Sequence, residues 1–182
     1  MLNTFVVYVE NKPGVLTRVA SLFRRRAFNI DSLTVGRTEK PEVSRMTITV
    51  DADRDQARRI EANLYKLVNV LLVDNITSGP AIVRDLAMIK VAATHEARSH
   101  VLELASVFRA RVVDVAPESL TIEITGAEDK IDGLLEVLRP YGVLEMVRTG
   151  IVAMRRGKSS TTAVAATNGD QDIAEEDVSH SV

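Results

Sequence analysis

Two stretches of this chain repeat one order of elements, with some of the same residues, and that internal duplication constrains the fold more than any other feature. In the first stretch, Phe5-Val6-Val7-Tyr8-Val9 is an apolar, β-rich run ended by the turn Pro13-Gly14. Leu16, Val19, Ala20 and Phe23 then recur at i, i+3, i+4 and i+7, which predicts one face of a helix. A strand over Ile30–Val35, a polar connection from Arg37 to Glu42 and a strand over Arg45–Val50 follow. Asp51 and Asp53 stand where a helix needs an N-cap, and Ala57, Ile60, Leu64 and Leu67 mark the next helix. Val70–Val73 reads as a closing strand. The order is βαββαβ, the ferredoxin-like arrangement.

From Leu86 the order recurs. Val101, Leu104, Ala105 and Phe108 repeat the first helix stripe, and Ala20-Ser21-Leu22-Phe23-Arg24 matches Ala105-Ser106-Val107-Phe108-Arg109. Thr47-Ile48-Thr49-Val50 matches Thr121-Ile122-Glu123-Ile124; the stripe Ile131, Leu134, Leu135, Leu138 and the strand Gly142–Val147 complete the copy. The expectation is an α+β protein of two tandem ferredoxin-like domains, at residues 1–78 and 84–157. From residue 158 to 182 the sequence turns to Ser, Thr, Ala, Asn, Gly, Asp and Glu without periodicity, and a disordered tail is expected there.

Aligned on their first helices, the copies differ in one place that matters. Asn11, Pro13 and Gly14 fall opposite Glu96, Arg98 and Ser99, and Asn29 falls opposite Asp114. Glycine after proline at a strand-to-helix junction lets another group approach the main chain, and a helix N-terminus offers unpaired N–H groups to a carboxylate. Asn11 and Asn29 each bring a donor and an acceptor, and Val15, Leu16 and Ile30 are apolar neighbours. Those residues could hold an aliphatic amino acid by both charged ends. The same residues also suit an ordinary turn, in which asparagine merely satisfies the backbone.

Composition excludes several classes of function. The formal net charge is −2, so no overall field attracts nucleic acid or an anionic membrane, and aromatics make up only 4%, too few for base stacking. There is no cysteine, which removes thiolate metal sites and cysteine nucleophiles and fits a reducing cytoplasm. No apolar run is long enough to span a bilayer, and Met1-Leu2-Asn3-Thr4 carries no basic leader, so no secretion signal is expected. His95, His100 and His180 show no metal spacing. Asp51-Ala52-Asp53-Arg54-Asp55 starts like a calcium loop but has Gln56 and Ala62 where glycine and glutamate belong, so helix capping is the expectation. Arg24-Arg25-Arg26 reads as a solvated cluster at a helix end, with contact to an acidic partner as the alternative. No catalytic group is visible, and no metal or cofactor site is expected in this chain.

The motif Asn-Lys-Pro-Gly-Val-Leu at 11–16, with Arg18-Val19-Ala20-Ser21-Leu22-Phe23, resembles an ACT domain, the amino-acid-binding module of metabolic regulators. Phe28–Val35, Ser44–Ile48, Gln56–Val73, Ile89-Lys90-Val91 and Phe108–Val115 are similar to the small subunit of acetolactate synthase, and the likeness covers about residues 2–157. The resemblance implies a non-catalytic regulatory subunit that pairs through its ACT domains and binds valine at that interface. The matching positions are Asn11, Gly14, Val15, Leu16, Asn29 and Ile30. It further implies a separate large subunit, a transferase carrying thiamine diphosphate, Mg2+ and FAD that joins two pyruvates into acetolactate. Residues 1–78 would sense the amino acid and dimerise, and 84–157 would mainly contact the large subunit. Two rivals stand beside this reading. One is an ACT-type module serving a different enzyme or a transcription regulator. The other is an acylphosphatase-like enzyme, which would need an arginine where Lys12 and Pro13 stand.

Overall fold

The computed structural model describes residues 1–157, so the tail expected at 158–182 lies outside the described residues. Two compact units divide the chain, one built mainly from Met1–Ala81 and one mainly from Ile82–Ala153. In the first, β1 (Leu2–Glu10), α1 (Val15–Arg25), β2 (Ile30–Arg37), β3 (Val43–Asp51), α2 (Arg54–Leu64) and β4 (Val70–Asn75) follow the expected order. They build a sheet of order β2-β3-β1-β4, with β1 antiparallel to both its neighbours. Phe5 lies opposite Ile48 and Val7 opposite Met46, so the middle of one face of the central pair is apolar and buried, with Asn3 and Ser44 as buried polar residues toward its two ends.

The burial of α1 departs from the stripe read in the sequence. Val15, Val19, Leu22 and Phe23 are its buried residues, whereas Leu16 is 44% exposed and Ala20 faces outward. The helix carries apolar residues at six positions over an arc wider than one face, and its approach to the sheet decides which of them go inside. In α2 the cap is Asp53, not Asp51. The Gln56 N–H donates to Asp53 Oδ1 at 2.8 Å and the Asp53 N–H donates to Gln56 Oε1 at 2.9 Å, a complete capping box. Leu67 lies past the helix end, in the turn that leads to β4.

The second unit repeats the plan with β5 (Ala81–Ala92), α3 (Arg98–Val107), β6 (Arg111–Ala116), β7 (Ser119–Gly126), α4 (Glu128–Leu138) and β8 (Val143–Arg148). Its sheet has the equivalent order β6-β7-β5-β8, and a short strand β9 (Val152–Arg155), unforeseen in the sequence, pairs with β5. Ala87, Ile89 and Val91 of β5 meet Ile131, Leu134 and Leu138 of α4 in one buried cluster. Here the stripe Val101, Leu104, Ala105, Phe108 is the inward face of α3, as expected, with Leu104 and Phe108 at its margin.

Candidate functional site

The turn between β1 and α1 is held open by one residue. Gly14 is the N-cap of α1 with φ +82°, the left-handed region that L side chains rarely adopt, and a Cβ added there would meet nothing within 4 Å. Glycine supplies no side-chain cap. Among the described residues no group accepts from the N–H of Leu16 or Thr17, so the positive end of α1 presents two free donors.

Neighbouring connections pin this turn. The Asn11 N–H donates to Glu42 O at 2.7 Å and its side-chain Nδ2 donates to Pro41 O at 2.8 Å, tying the turn to the β2–β3 connection. The amide nitrogen of Asn11 is thereby committed to the fold, while its oxygen stays available as an acceptor. On the other side, Glu10 takes hydrogen bonds from Asn69 Nδ2 and, at 3.1 Å, from Lys12 Nζ. Arg18 Nη1, one turn into α1, donates to Asn69 Oδ1 at 2.6 Å. The donated bond from Asn69, followed by that from Lys12, holds the Glu10 carboxyl below its ordinary pKa. Glu10, Arg18 and Asn69 position the turn, and the sequence reading missed them. Asn69 stands 59 residues from Glu10, and no local pattern links the two.

The six residues singled out in the sequence fall into two groups. Asn11, Gly14, Val15 and Leu16 share the N-terminal end of α1. Val15 is only 4% exposed, so its side chain belongs to the core and only its backbone is near the turn, whereas Leu16 lies on the surface. Asn29 and Ile30 sit at the other end of the unit. Glu10 pairs with Val43 and Thr38 bonds back to Val43, so the β1 end and the β2 end lie together, while β2 begins toward the Leu2–Asp51 end of the sheet. Eleven residues of α1, about 16 Å of helix at 1.5 Å each, separate the two groups. Asn29 is exposed, and its side-chain amide has no partner among the described residues. A single chain therefore does not bring Asn11 and Asn29 to one ligand.

The equivalent place in the second unit is built differently. The α3 N-cap, Ala97, is right-handed at φ −81°, and the Ala97 N–H reaches Thr94 Oγ1 at 3.4 Å. Arg98 Nη2 donates to Ala93 O, Ala116 O and Pro117 O, so the chain's own guanidinium occupies the mouth of this turn. Among the described residues there is no cluster of metal-ligating side chains, and no helix is long and apolar enough to cross a membrane.

A ferredoxin-like unit with an open glycine turn at its first helix, followed by a second such unit with that turn closed, is an ACT-type regulatory protein in class. Residues 5–72 match the family model described as AHAS small subunit-like ACT domain, and residues 84–157 match the one described as small subunit of acetolactate synthase. A relative named probable acetolactate synthase small subunit, from Archaeoglobus fulgidus, is 50% identical over 86% of this chain and 98% of its own. The acetolactate synthase small subunit of Mycolicibacterium smegmatis is 48% identical over 85% of this chain and 91% of its own. The crystal structure of the small subunit from Thermotoga maritima superposes with a TM-score of 0.81 at 40% identity, covering 87% of this chain and 99% of that one. The chain belongs to the acetolactate synthase small-subunit family, a regulatory rather than catalytic class whose name implies a large-subunit partner.

Proposed function

We propose that this chain activates the large, catalytic subunit of acetolactate synthase and subjects it to feedback inhibition by valine. The reaction joins two pyruvates into acetolactate, with loss of CO2, at the start of branched-chain amino acid biosynthesis, and the setting is the cytoplasm. Thiamine diphosphate, Mg2+ and FAD belong to the large subunit in this reading, and the small subunit holds no cofactor.

The observation that carries the proposal is the open turn at Gly14. Its free N–H groups at Leu16 and Thr17 suit a carboxylate, the Asn11 oxygen suits an ammonium, and exposed Leu16 offers an aliphatic contact. The missing half of the site comes from a second copy. β2 is an edge strand, and antiparallel pairing of β2 with its counterpart would set Asn29 and Ile30 of one protomer beside the Asn11–Gly14 turn of the other. A ligand shared between protomers reads out dimer geometry. It can inhibit only by binding the less active arrangement more tightly. Residues 1–78 then sense and dimerise, and 84–157 mainly meet the large subunit.

Acetolactate formation by a purified large subunit, with and without this chain and titrated with valine, leucine and isoleucine, tests the proposal. Activation with inhibition by valine is expected. Gly14→Asp places a negative charge where the carboxylate should sit, and Asn29→Lys displaces the amide. Each variant should keep activation and lose inhibition. Full valine sensitivity in either would overturn the site, and absence of any activation would favour the ACT-type module of a different enzyme.

A further inference from the structure

The helical layer of the first unit carries a groove that the function above leaves unused. A cavity of about 430 Å3 between α1 and the end of α2 is lined by Leu22, Arg25, Arg26, Asn63, Lys66 and Leu67. A second hollow of about 400 Å3 adjoins it, shares Arg25 and Leu67, and adds Arg18 and Arg24. No carboxylate lines either cavity. Among the described residues none of these five cations is in an ion pair. Arg26 at 3.2 Å and Lys66 at 3.4 Å share a single neutral acceptor, Asn63 Oδ1. The α1 dipole accounts for cations in its last turn. It does not account for Lys66, which arrives from another element onto the same groove.

A ligand for this groove must be long, acidic and partly apolar. We propose that it is the chain's own segment Asp170–Val178, docked between α1 and α2. That segment reads Asp-Gln-Asp-Ile-Ala-Glu-Glu-Asp-Val, five carboxylates without a cation, with Ile173 and Val178 to meet Leu22 and Leu67. It follows Gly157, which belongs to the first unit, by twelve residues. Extended at about 3.3 Å per residue, that spacer spans roughly 40 Å, more than the width of an 80-residue unit. Tethering replaces a bimolecular encounter with an effective concentration on the order of millimolar, enough to populate a weak, charge-driven contact. The inference does not depend on which enzyme the chain serves.

Zero-length carbodiimide coupling on the full chain, read by peptide mass spectrometry, tests it, because only a lysine touching a carboxylate is joined. Lys66 should couple to Asp170, Asp172, Glu175, Glu176 or Asp177 of the same chain, about five-fold more than Lys40, Lys90 or Lys130 couple to those five carboxylates, the Lys90–Glu145 product expected from their 3.2 Å contact being counted apart. The product should fall steeply when ionic strength rises from about 0.02 M to about 0.5 M. Arg25→Glu with Arg26→Glu should abolish the Lys66 product while circular dichroism stays native, and the paired Arg→Lys changes should preserve it. Coupling of the five segment carboxylates spread evenly over the lysines, or indifferent to salt, overturns the proposal. So does coupling of Lys66 only to an isotopically labelled second chain, which would make the occupant a partner copy.

Discussion

The starts of α1 and α3 are the same place in two copies of one unit, and the chain has treated them in opposite ways. At α1 a left-handed glycine leaves open space and free N–H groups, with the surrounding polar side chains tied back to neighbouring connections. At α3 a right-handed alanine and the Arg98 guanidinium fill the same mouth, and the buried Arg98 Nε has no hydrogen-bond partner among the described residues. The fold does not need the open turn, since the second unit forms without it. What the fold does not need, a ligand can use.

The helices behind these turns sharpen the contrast, and the largest effect is expected there. Leu22 is 6% exposed and its repeat counterpart Val107 is 76% exposed. Leu22→Ala should cost about 2–4 kcal/mol in urea unfolding, and Val107→Ala less than about 0.5 kcal/mol. Equal costs would mean that the two helices bury the same face after all.

The caps come next. Removing the Asp53 side chain from the capping box of α2 should cost about 1 kcal/mol, whereas α4 begins at Ala127 with no side-chain cap, so Ala127→Asp should stabilise by a similar amount. Thermal midpoints of the two variants should therefore move in opposite directions. At the turn itself, Gly14→Ala imposes a left-handed alanine and should cost about 1 kcal/mol without a steric clash. Ala97→Gly in the second unit should cost a few tenths at most. The backbone penalty of Gly14→Ala, set beside Gly14→Asp in the enzyme assay, separates strain from charge.

The smallest effect is a pH dependence confined to the first unit. The folded-state pKa of Glu10 lies below its unfolded value, so its contribution to stability is fully present above the ordinary glutamate pKa near 4.5 and is lost as pH falls through the lower folded value. Asn69→Ala removes the main cause of that depression. It should flatten the acid limb of the stability curve, and an unchanged limb would show that the carboxylate is not held by Asn69.

Much of this architecture was legible in the sequence because periodicity and duplication agree. The phase of α1 was not. Val15, Leu16, Val19, Ala20, Leu22 and Phe23 offer two overlapping apolar arcs, and only packing against the sheet selects between them. The end of α2 was also hidden, since Tyr65-Lys66-Leu67 contains no glycine or proline to stop a helix. β9, four residues long, is too short to show a pattern. At the site, Gly14 announced itself through its neighbours. The Asn11–Pro41 and Glu10–Asn69–Arg18 bonds could not, because they join segments that only the folded sheet brings together. The separation of Asn11 from Asn29 follows from strand direction, which residue types alone do not report.

The pinning of the Asn11–Gly14 turn bears on time as well as on geometry. Bonds to Pro41, Glu42 and Asn69 already hold the backbone that the proposed effector would touch, so its uptake would need little ordering of this turn. Exchange at such a site runs at the rate of encounter and escape, not of refolding. On the proposed reading, stopped-flow mixing should show a binding phase whose rate rises linearly with added effector, and a slower phase that saturates would report the change of arrangement between the two copies.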